Sequence, residues 1–203
     1  MFIQKLSKLI KTSKVKSTAM QPEFELSQIK LIVGLGNPGL EYAKTRHNVG
    51  FMFLDSLNLN FSEEKKVRAE VAQIVVGEDR IFVIKPLTFM NNSGESVHLM
   101  KSFYKLSPQQ ILVIHDDLDI ELGQYKLQFN KGPKVHNGIL SIENHLSTAE
   151  FWRLRIGIDN RDSVLRANIS GSDYVLGRFT TEELETLNRT FTEIVNIVLP
   201  AKL

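Results

Sequence analysis

The chain contains no cysteine, so disulfides, thiolate metal sites and cysteine nucleophiles are excluded together. No apolar run approaches the roughly 20 residues a membrane-spanning helix needs, and membrane insertion is not expected. Acids are missing from the first 22 residues, which carry five lysines; the first acidic residue is Glu23. On a helical wheel Phe2, Ile3, Leu6, Leu9 and Ile10 fall to one side of this segment, and Lys5, Lys8 and Lys11 to the other. An acid-free, amphipathic stretch with several Ser and Thr has the make-up of an organellar targeting peptide, although it lacks arginine. Residues 1–28 are therefore expected to be a basic targeting or disordered segment. Mitochondrial delivery is the first expectation, and a cytoplasmic protein with a basic, RNA-touching tail is the alternative. The overall charge of +2 includes those five lysines, so residues 23–203 sum to −3. A domain of that charge meets nucleic acid only through a local patch, not through its overall field.

What is present is enough apolar content, 42% of 203 residues, to bury a full core, and one domain is expected over residues 29–203. The chain is organised around Ile29–Phe51. Ile29, Leu31, Ile32 and Val33 form a short aliphatic run closed by Gly34, the pattern of a buried strand. Gly34, Gly36 and Gly39, with Pro38, then shape a turn. Gly34-Leu35-Gly36-Asn37-Pro38-Gly39 has the spacing of a dinucleotide fingerprint, which puts an NAD(P)-dependent oxidoreductase among the readings. Against it, Pro38 removes an N–H from the loop that would cradle a pyrophosphate. The acid nearest the required offset of about 20 residues, Asp55, lies in a helical pattern instead of ending a strand.

Apolar spacing predicts a helix over His47–Leu59 and two strands, Ala69–Val76 and Arg80–Pro86, joined by a turn at Gly77-Glu78-Asp79. Val97, Leu99, Met100 and Phe103 repeat at helical spacing. A strand over Gln110–Ile114 runs into His115-Asp116-Asp117-Leu118-Asp119, followed by a strand over Gly123–Phe129, a helix over Ile139–Leu146 and a strand over Phe151–Ile158. Asp159–Ser172 reads as polar loop. Thr180–Leu199 reads as an amphipathic helix, with acids at its start and Leu184, Leu187, Phe191, Ile194, Val195 and Val198 as core contacts. Strands alternating with helices, plus one hairpin, predict a single-domain α/β fold, a mixed twisted sheet flanked by helices in an α/β/α sandwich.

The residues that carry chemistry are amides, histidines and carboxylates. His47 follows Asn37 by ten positions, and a lone histidine near a helix start caps or packs more often than it catalyses. Asn91 lies in Phe89-Met90-Asn91-Asn92-Ser93-Gly94, where Asn92 or Ser93 suits a helix N-cap. Ser93 lacks the G-x-S-x-G elbow of a serine nucleophile. Asp116, Asp117 and Asp119 end a strand, where open α/β sheets hold ligands. An octahedral cation site needs wider spacing than they offer.

Six strings, in this order, resemble the signatures of the bacterial-type peptidyl-tRNA hydrolases, and the chain resembles a fungal or mitochondrial-like member of that family. They are Asn37 through Gly50, Phe89 through Gly94, His115 through Asp119, His136-Asn137-Gly138, and Arg153 through Gly157 with Tyr174 through Phe179. The family cuts the ester between a peptide and the 3′ ribose of tRNA. The resemblance implies His47 as the base that activates water and Asp116 as the carboxylate that orients it. It implies Asn37, Tyr42, Asn91 and Asn137 as substrate-binding residues and Arg155 as a contact to tRNA phosphate. Gln128 stands where the family usually has a lysine, so Lys131 and Lys134 become candidates for that charge. The loop before His136 also departs from the family's glycine-rich pattern. No cofactor and no metal are implied; peptidyl-tRNA is the partner, and a monomer is expected. A non-catalytic RNA-binding protein on the same fold is the second reading.

The physical demands agree. Histidine activates water near neutral pH because its unperturbed pKa is about 6.5. A carboxylate on its other ring nitrogen fixes the tautomer. Neutral amides hold a carbonyl without adding a competing charge.

Overall fold

The computed structural model describes residues 22–76 and 79–198. The proposed targeting segment up to residue 21 and the turn at Gly77 and Glu78 lie outside the described residues. The seven strands are β1 (Leu31–Gly34), β2 (Ser62–Glu64), β3 (Ala69–Val76), β4 (Asp79–Pro86), β5 (Ile111–Glu121), β6 (Tyr125–Phe129) and β7 (Trp152–Asp159). They form one sheet in the order β2-β3-β4-β1-β5-β7-β6. The central four are parallel, with β1 between β4 and β5 and β7 beyond β5. β3 and β2 at one edge and β6 at the other run antiparallel to their neighbours. This is the mixed sheet expected.

The described residues form six α-helices: α1 (Val49–Ser56), α2 (Ser93–Tyr104), α3 (Asn137–Leu146), α4 (Ser163–Asn168), α5 (Gly171–Leu176) and α6 (Thr181–Val198). Alternation along β1 sends Leu31 and Val33 to a core with Val97 and Met100 of α2 and Ile139 and Ile142 of α3. Ile32 goes to the opposite core with Val49, Phe53 and Leu54 of α1 and Leu187, Phe191 and Ile194 of α6. A strand buried on both faces must be apolar throughout, which is why 31–33 reads as an unbroken aliphatic run. Of the α6 residues expected to be core contacts, Leu187, Phe191 and Ile194 are buried, and Leu184 and Val195 pack against the same core; the side chain of Val198 lies outside those described.

Several boundaries differ from expectation for physical reasons. β5 continues to Glu121, past the expected end at Ile114, because the charges of Asp116 and Asp117 are neutralised by partners and the strand keeps pairing with β7. The helix expected from His47 begins as a 3-10 turn over Arg46–Asn48 and becomes α-helical at Val49. The polar stretch 159–172 contains α4, capped by Asp162 accepting from Leu165 N at 2.8 Å. Ser170 caps α5 in the same way, accepting from Asp173 N. Asn92 is the N-cap of α2 by position but makes no side-chain cap bond; Ser93 Oγ donates to Met90 O instead.

The dinucleotide reading fails on the same geometry. A fingerprint loop opens directly into a helix whose N-terminus meets the phosphates. Here the chain after Gly39 passes through turns, and the next helix starts ten residues later at Val49. Gly34 and Gly36 serve packing: a Cβ on Gly34 would lie 2.6 Å from Gly50 O, and one on Gly36 would meet the Phe51 ring at 2.6 Å.

Candidate active site

The C-terminal ends of β1, β4 and β5 and the turns that follow them bring the polar residues to one cleft. Its volume is about 540 Å³, and Asn37, His47, Asn91, Asp116, His136 and Asn137 all line it. These residues span a hundred positions of sequence, and only the parallel β4-β1-β5 core makes them neighbours.

His47 stands on the 3-10 turn that leads into α1. Its Nδ1 lies 2.8 Å from Asp116 Oδ1 at the buried end of the cleft. Because the carboxylate only accepts, Nδ1 carries the proton and Nε2 keeps a lone pair for a substrate proton. Asp116 also receives His136, whose Nε2 is 3.0 Å from the same Oδ1. The His136 tautomer is fixed from its other side: Nδ1 accepts from Gly138 N at 3.1 Å and Ile139 N at 3.3 Å, capping α3. Nε2 must then bear the proton and donate to Asp116.

These contacts set the ionisation. Burial alone would push the Asp116 carboxyl up. The favourable electrostatics and the hydrogen bonds of the His47 and His136 rings outweigh burial and hold it ionised, well below the usual carboxylate range. Burial likewise works against a charged His47, yet the Asp116 charge and hydrogen bond prevail, and its pKa lies above that of an ordinary histidine. His115, fully buried, is pushed well below the ordinary value by burial and by neighbouring His136; its Nδ1 is 2.7 Å from the Asp116 carbonyl, so it stays neutral and donates there.

His47, Asp116 and His136 offer three ligand atoms within 4.8 Å of one another, so a metal site has to be considered. The donor chemistry does not suit one. His136 uses its Nδ1 lone pair on α3, and its protonated Nε2 has no lone pair to give. Oδ1 of Asp116 is already shared by two N–H donors.

Asn37 is held by a partner that sequence reasoning passed over. Asn37 N donates to Asn48 Oδ1, and Asn48 Nδ2 donates back to Asn37 O, each at 2.9 Å. Asn37 Oδ1 accepts from Met90 N at 2.8 Å. With its oxygen spent, the amide presents Nδ2 to the cleft, a donor suited to a carbonyl oxygen. Asn91 and Asn137 line the same cleft from the starts of the turns into α2 and α3, and both are exposed. Tyr42 stands behind this wall: its ring meets Phe89 edge-on at 6.3 Å, and Phe89 lines the cleft. Leu118, Val135, Val175 and Leu176 give the cleft its apolar lining.

The residues expected to meet phosphate separate into two kinds. Lys131 and Lys134 are exposed on the loop between β6 and α3, and Lys134 Nζ stands 3.5 Å from Asp119 Oδ1. Arg155 is turned inward. Its Nε donates to Asp117 Oδ2 and its Nη1 to Gln128 Oε1, both at 2.7 Å, and its side chain is 9% exposed. Gly132 lies so close over the guanidinium that a Cβ there would sit 2.3 Å from Arg155 Cζ. Arg153, on the same face, donates to Gly132 O and to Glu143 of α3. The two arginines thus hold up the loop that precedes His136. The position of Gln128, where a lysine was expected, is explained too: its neutral amide accepts from Arg155, which a lysine could not do.

A family model described as Peptidyl-tRNA hydrolase matches residues 31–201. The chain belongs to this family. Among curated members, the peptidyl-tRNA hydrolase of Neisseria meningitidis serogroup C (strain 053442) is 46% identical over 158 residues, which is 76% of this chain and 80% of that protein. The peptidyl-tRNA hydrolase of Bacillus cereus (strain Q1) is 44% identical over 166 residues, covering 80% of this chain and 87% of the relative. The crystal structure of peptidyl-tRNA hydrolase from Acinetobacter baumannii superposes with a TM-score of 0.76 at 34% identity, covering 88% of this chain and 91% of that one. The single mixed sheet flanked by helices described above matches the fold of that solved structure.

Proposed function

We infer that this chain is a peptidyl-tRNA hydrolase that releases peptides from peptidyl-tRNA by hydrolysing the ester to the 3′ ribose. The observation that carries the reading is the His47–Asp116 pair at 2.8 Å on the floor of a cleft walled by three amides. His47 Nε2 takes the proton of a water as that water attacks the ester carbonyl. Asp116 stabilises the imidazolium that forms, and His136 keeps Asp116 in place from the opposite side. Asn37 Nδ2, with Asn91 and Asn137, holds the carbonyl and the peptide backbone and stabilises the oxyanion. Proton return from His47 to the departing ribose hydroxyl completes the reaction, and every proton is accounted for without a metal or cofactor. The deciding experiment is cleavage of N-acyl-aminoacyl-tRNA by the purified protein, read as release of free tRNA.

The pH dependence follows from His47. The base acts only when unprotonated, and its pKa is raised by Asp116. kcat/KM should therefore fall on the acid side with a midpoint above the unperturbed histidine value of about 6.5. A midpoint at or below that value would mean that another group is the base.

For tRNA phosphate, the reading assigns Lys131 and Lys134 the outward charge and Arg155 the support beneath them. The protein is proposed to act as a monomer. Residues 1 to about 22 are proposed to direct it to mitochondria, on the strength of their acid-free amphipathic composition. That segment fused to a fluorescent protein should co-localise with a mitochondrial dye; a cytosolic signal would refute the assignment.

A further inference from the structure

The residue next to the catalytic histidine is a buried arginine that the mechanism does not use. Arg46 and Glu183 face each other with side chains 9% and 6% exposed. Nη2 of Arg46 reaches both carboxylate oxygens of Glu183, at 2.8 and 2.9 Å, and Nη1 donates to Arg178 O at 2.9 Å. The guanidinium lies 4.1 Å over the ring of Tyr174 and 5.3 Å from that of Phe179. Arg161 covers Tyr174 too, at 4.5 Å. The backbone joins the same elements: Arg46 N donates to Gly177 O at 3.0 Å, and Thr45 bridges Arg178.

A buried ion pair is weak evidence for stability, since a well-packed apolar pair of similar volume often does as well. The cost is plain here, because Arg46 Nε is buried with no hydrogen-bond partner among the described residues. What the pair provides is direction. Arg46 immediately precedes His47, while Tyr174 lies in α5, whose Gly171, Ser172, Val175 and Leu176 form a wall of the cleft. Glu183 anchors Arg46 to the first turn of α6, where it also accepts from Asn160 Nδ2 at 2.7 Å and Thr180 N at 2.7 Å, and Tyr174 joins it through Asn160, its hydroxyl donating to Asn160 Oδ1 at 2.6 Å.

We propose that Arg46 is a positioning residue that, through Glu183 and Tyr174, locks the His47 turn to helix α5, so that the base and the apolar wall of the cleft are placed as one unit. The proposal rests on the hydrolase reading of the site. Displacing a catalytic group by about 1 Å costs up to about 10²-fold in rate. Loosening this lock acts on His47 in particular, because the turn sets its distance to Asp116.

The test compares wild type with Arg46→Lys, which keeps the charge but cannot bind Glu183 and Arg178 O through two separate nitrogens while lying flat on Tyr174. Turnover of N-acyl-aminoacyl-tRNA, its pH profile and thermal melting are measured on the same preparations. The expected result is a roughly 10- to 100-fold loss in kcat, with the acid limb moved towards ordinary histidine as His47 drifts from Asp116. The other titratable groups around His47, namely His136 from the start of α3 and Asp117 from β5, are untouched by the substitution. A lowered melting point with kcat and the acid limb unchanged would overturn the proposal and leave Arg46 a structural residue. If Arg46→Lys does not fold, Glu183→Gln, which keeps an acceptor for Arg46, is read by the same two measures. A wild-type protein that fails to cleave the substrate would refute the hydrolase reading itself, whereas an active wild type with an indifferent variant refutes only the role of Arg46.

Discussion

His47→Ala should lower turnover of N-acyl-aminoacyl-tRNA by about 10² to 10⁴-fold, the range a positioned general base supplies. The fold should persist, since the ring makes one hydrogen bond and lines a cleft that water can refill. Asp116→Asn should cost a similar factor of about 10² to 10⁴ by a different route. The amide oxygen can still accept from the rings, but the charge that raises the His47 pKa and stabilises its imidazolium is gone. The acid limb of the pH profile should consequently move down in Asp116→Asn, while His47→Ala abolishes the limb altogether. Single-turnover assays beside circular dichroism separate chemistry from folding. Near-wild-type turnover in either variant would mean that the pair does not perform the chemistry.

The second large effect concerns stability and falls on Arg155. Removing one member of a buried, hydrogen-bonded ion pair leaves the other charged without compensation, at about 3–5 kcal/mol. Asp117 has a fully buried side chain, and Arg155 is its only ion-pair partner among the described residues. Arg155→Ala is therefore expected to lower unfolding free energy by about 3–5 kcal/mol in a denaturant titration. Collapse of the Gly132 loop onto the space left behind should follow. Lys131→Ala/Lys134→Ala should behave oppositely: unchanged stability, weaker tRNA binding and a flatter dependence of affinity on salt, because outward cations release counterions from phosphate. A stable Arg155→Ala protein with a reduced salt slope would return Arg155 to direct phosphate contact.

The sheet was legible where burial enforces a pattern. Unbroken aliphatic runs at 31–33 and 111–114 could be nothing but strands covered on both faces, and the spacing of Leu187, Phe191 and Ile194 matches the stripe that α6 buries. β2 gave no signal, because Ser62, Glu63 and Glu64 are exposed on a sheet edge that needs no apolar residue. The extension of β5 was hidden for a converse reason: its acids look like a loop until their partners at His47, His136 and Arg155 are known. Helix α4, of six residues, buries none of them and so carries no periodicity. In the site, the amides and His47 could be singled out from short strings, but the geometry that relates them could not. Asn48 acts through reciprocal bonds to the backbone of Asn37, and His136 caps a helix with a ring nitrogen, a task usually given to Ser, Thr, Asp or Asn. The clue to His136 was its place in the His136-Asn137-Gly138 string, which said nothing of its bond to Asp116.

The central place of β1 bears on how the molecule can be made. β1 is translated before either of its sheet neighbours, residues 82–84 and 111–114. Until they follow it the strand has no flank to pair with, and it must wait, apolar and unpaired, while its partners are translated. Asn37 and His47 follow it closely, but Asp116 and His136 arrive only after more than half the chain has emerged. The catalytic centre therefore has no early, partial form that could act before folding is nearly complete, and the nascent chain's exposure to aggregation is longest at its own middle strand.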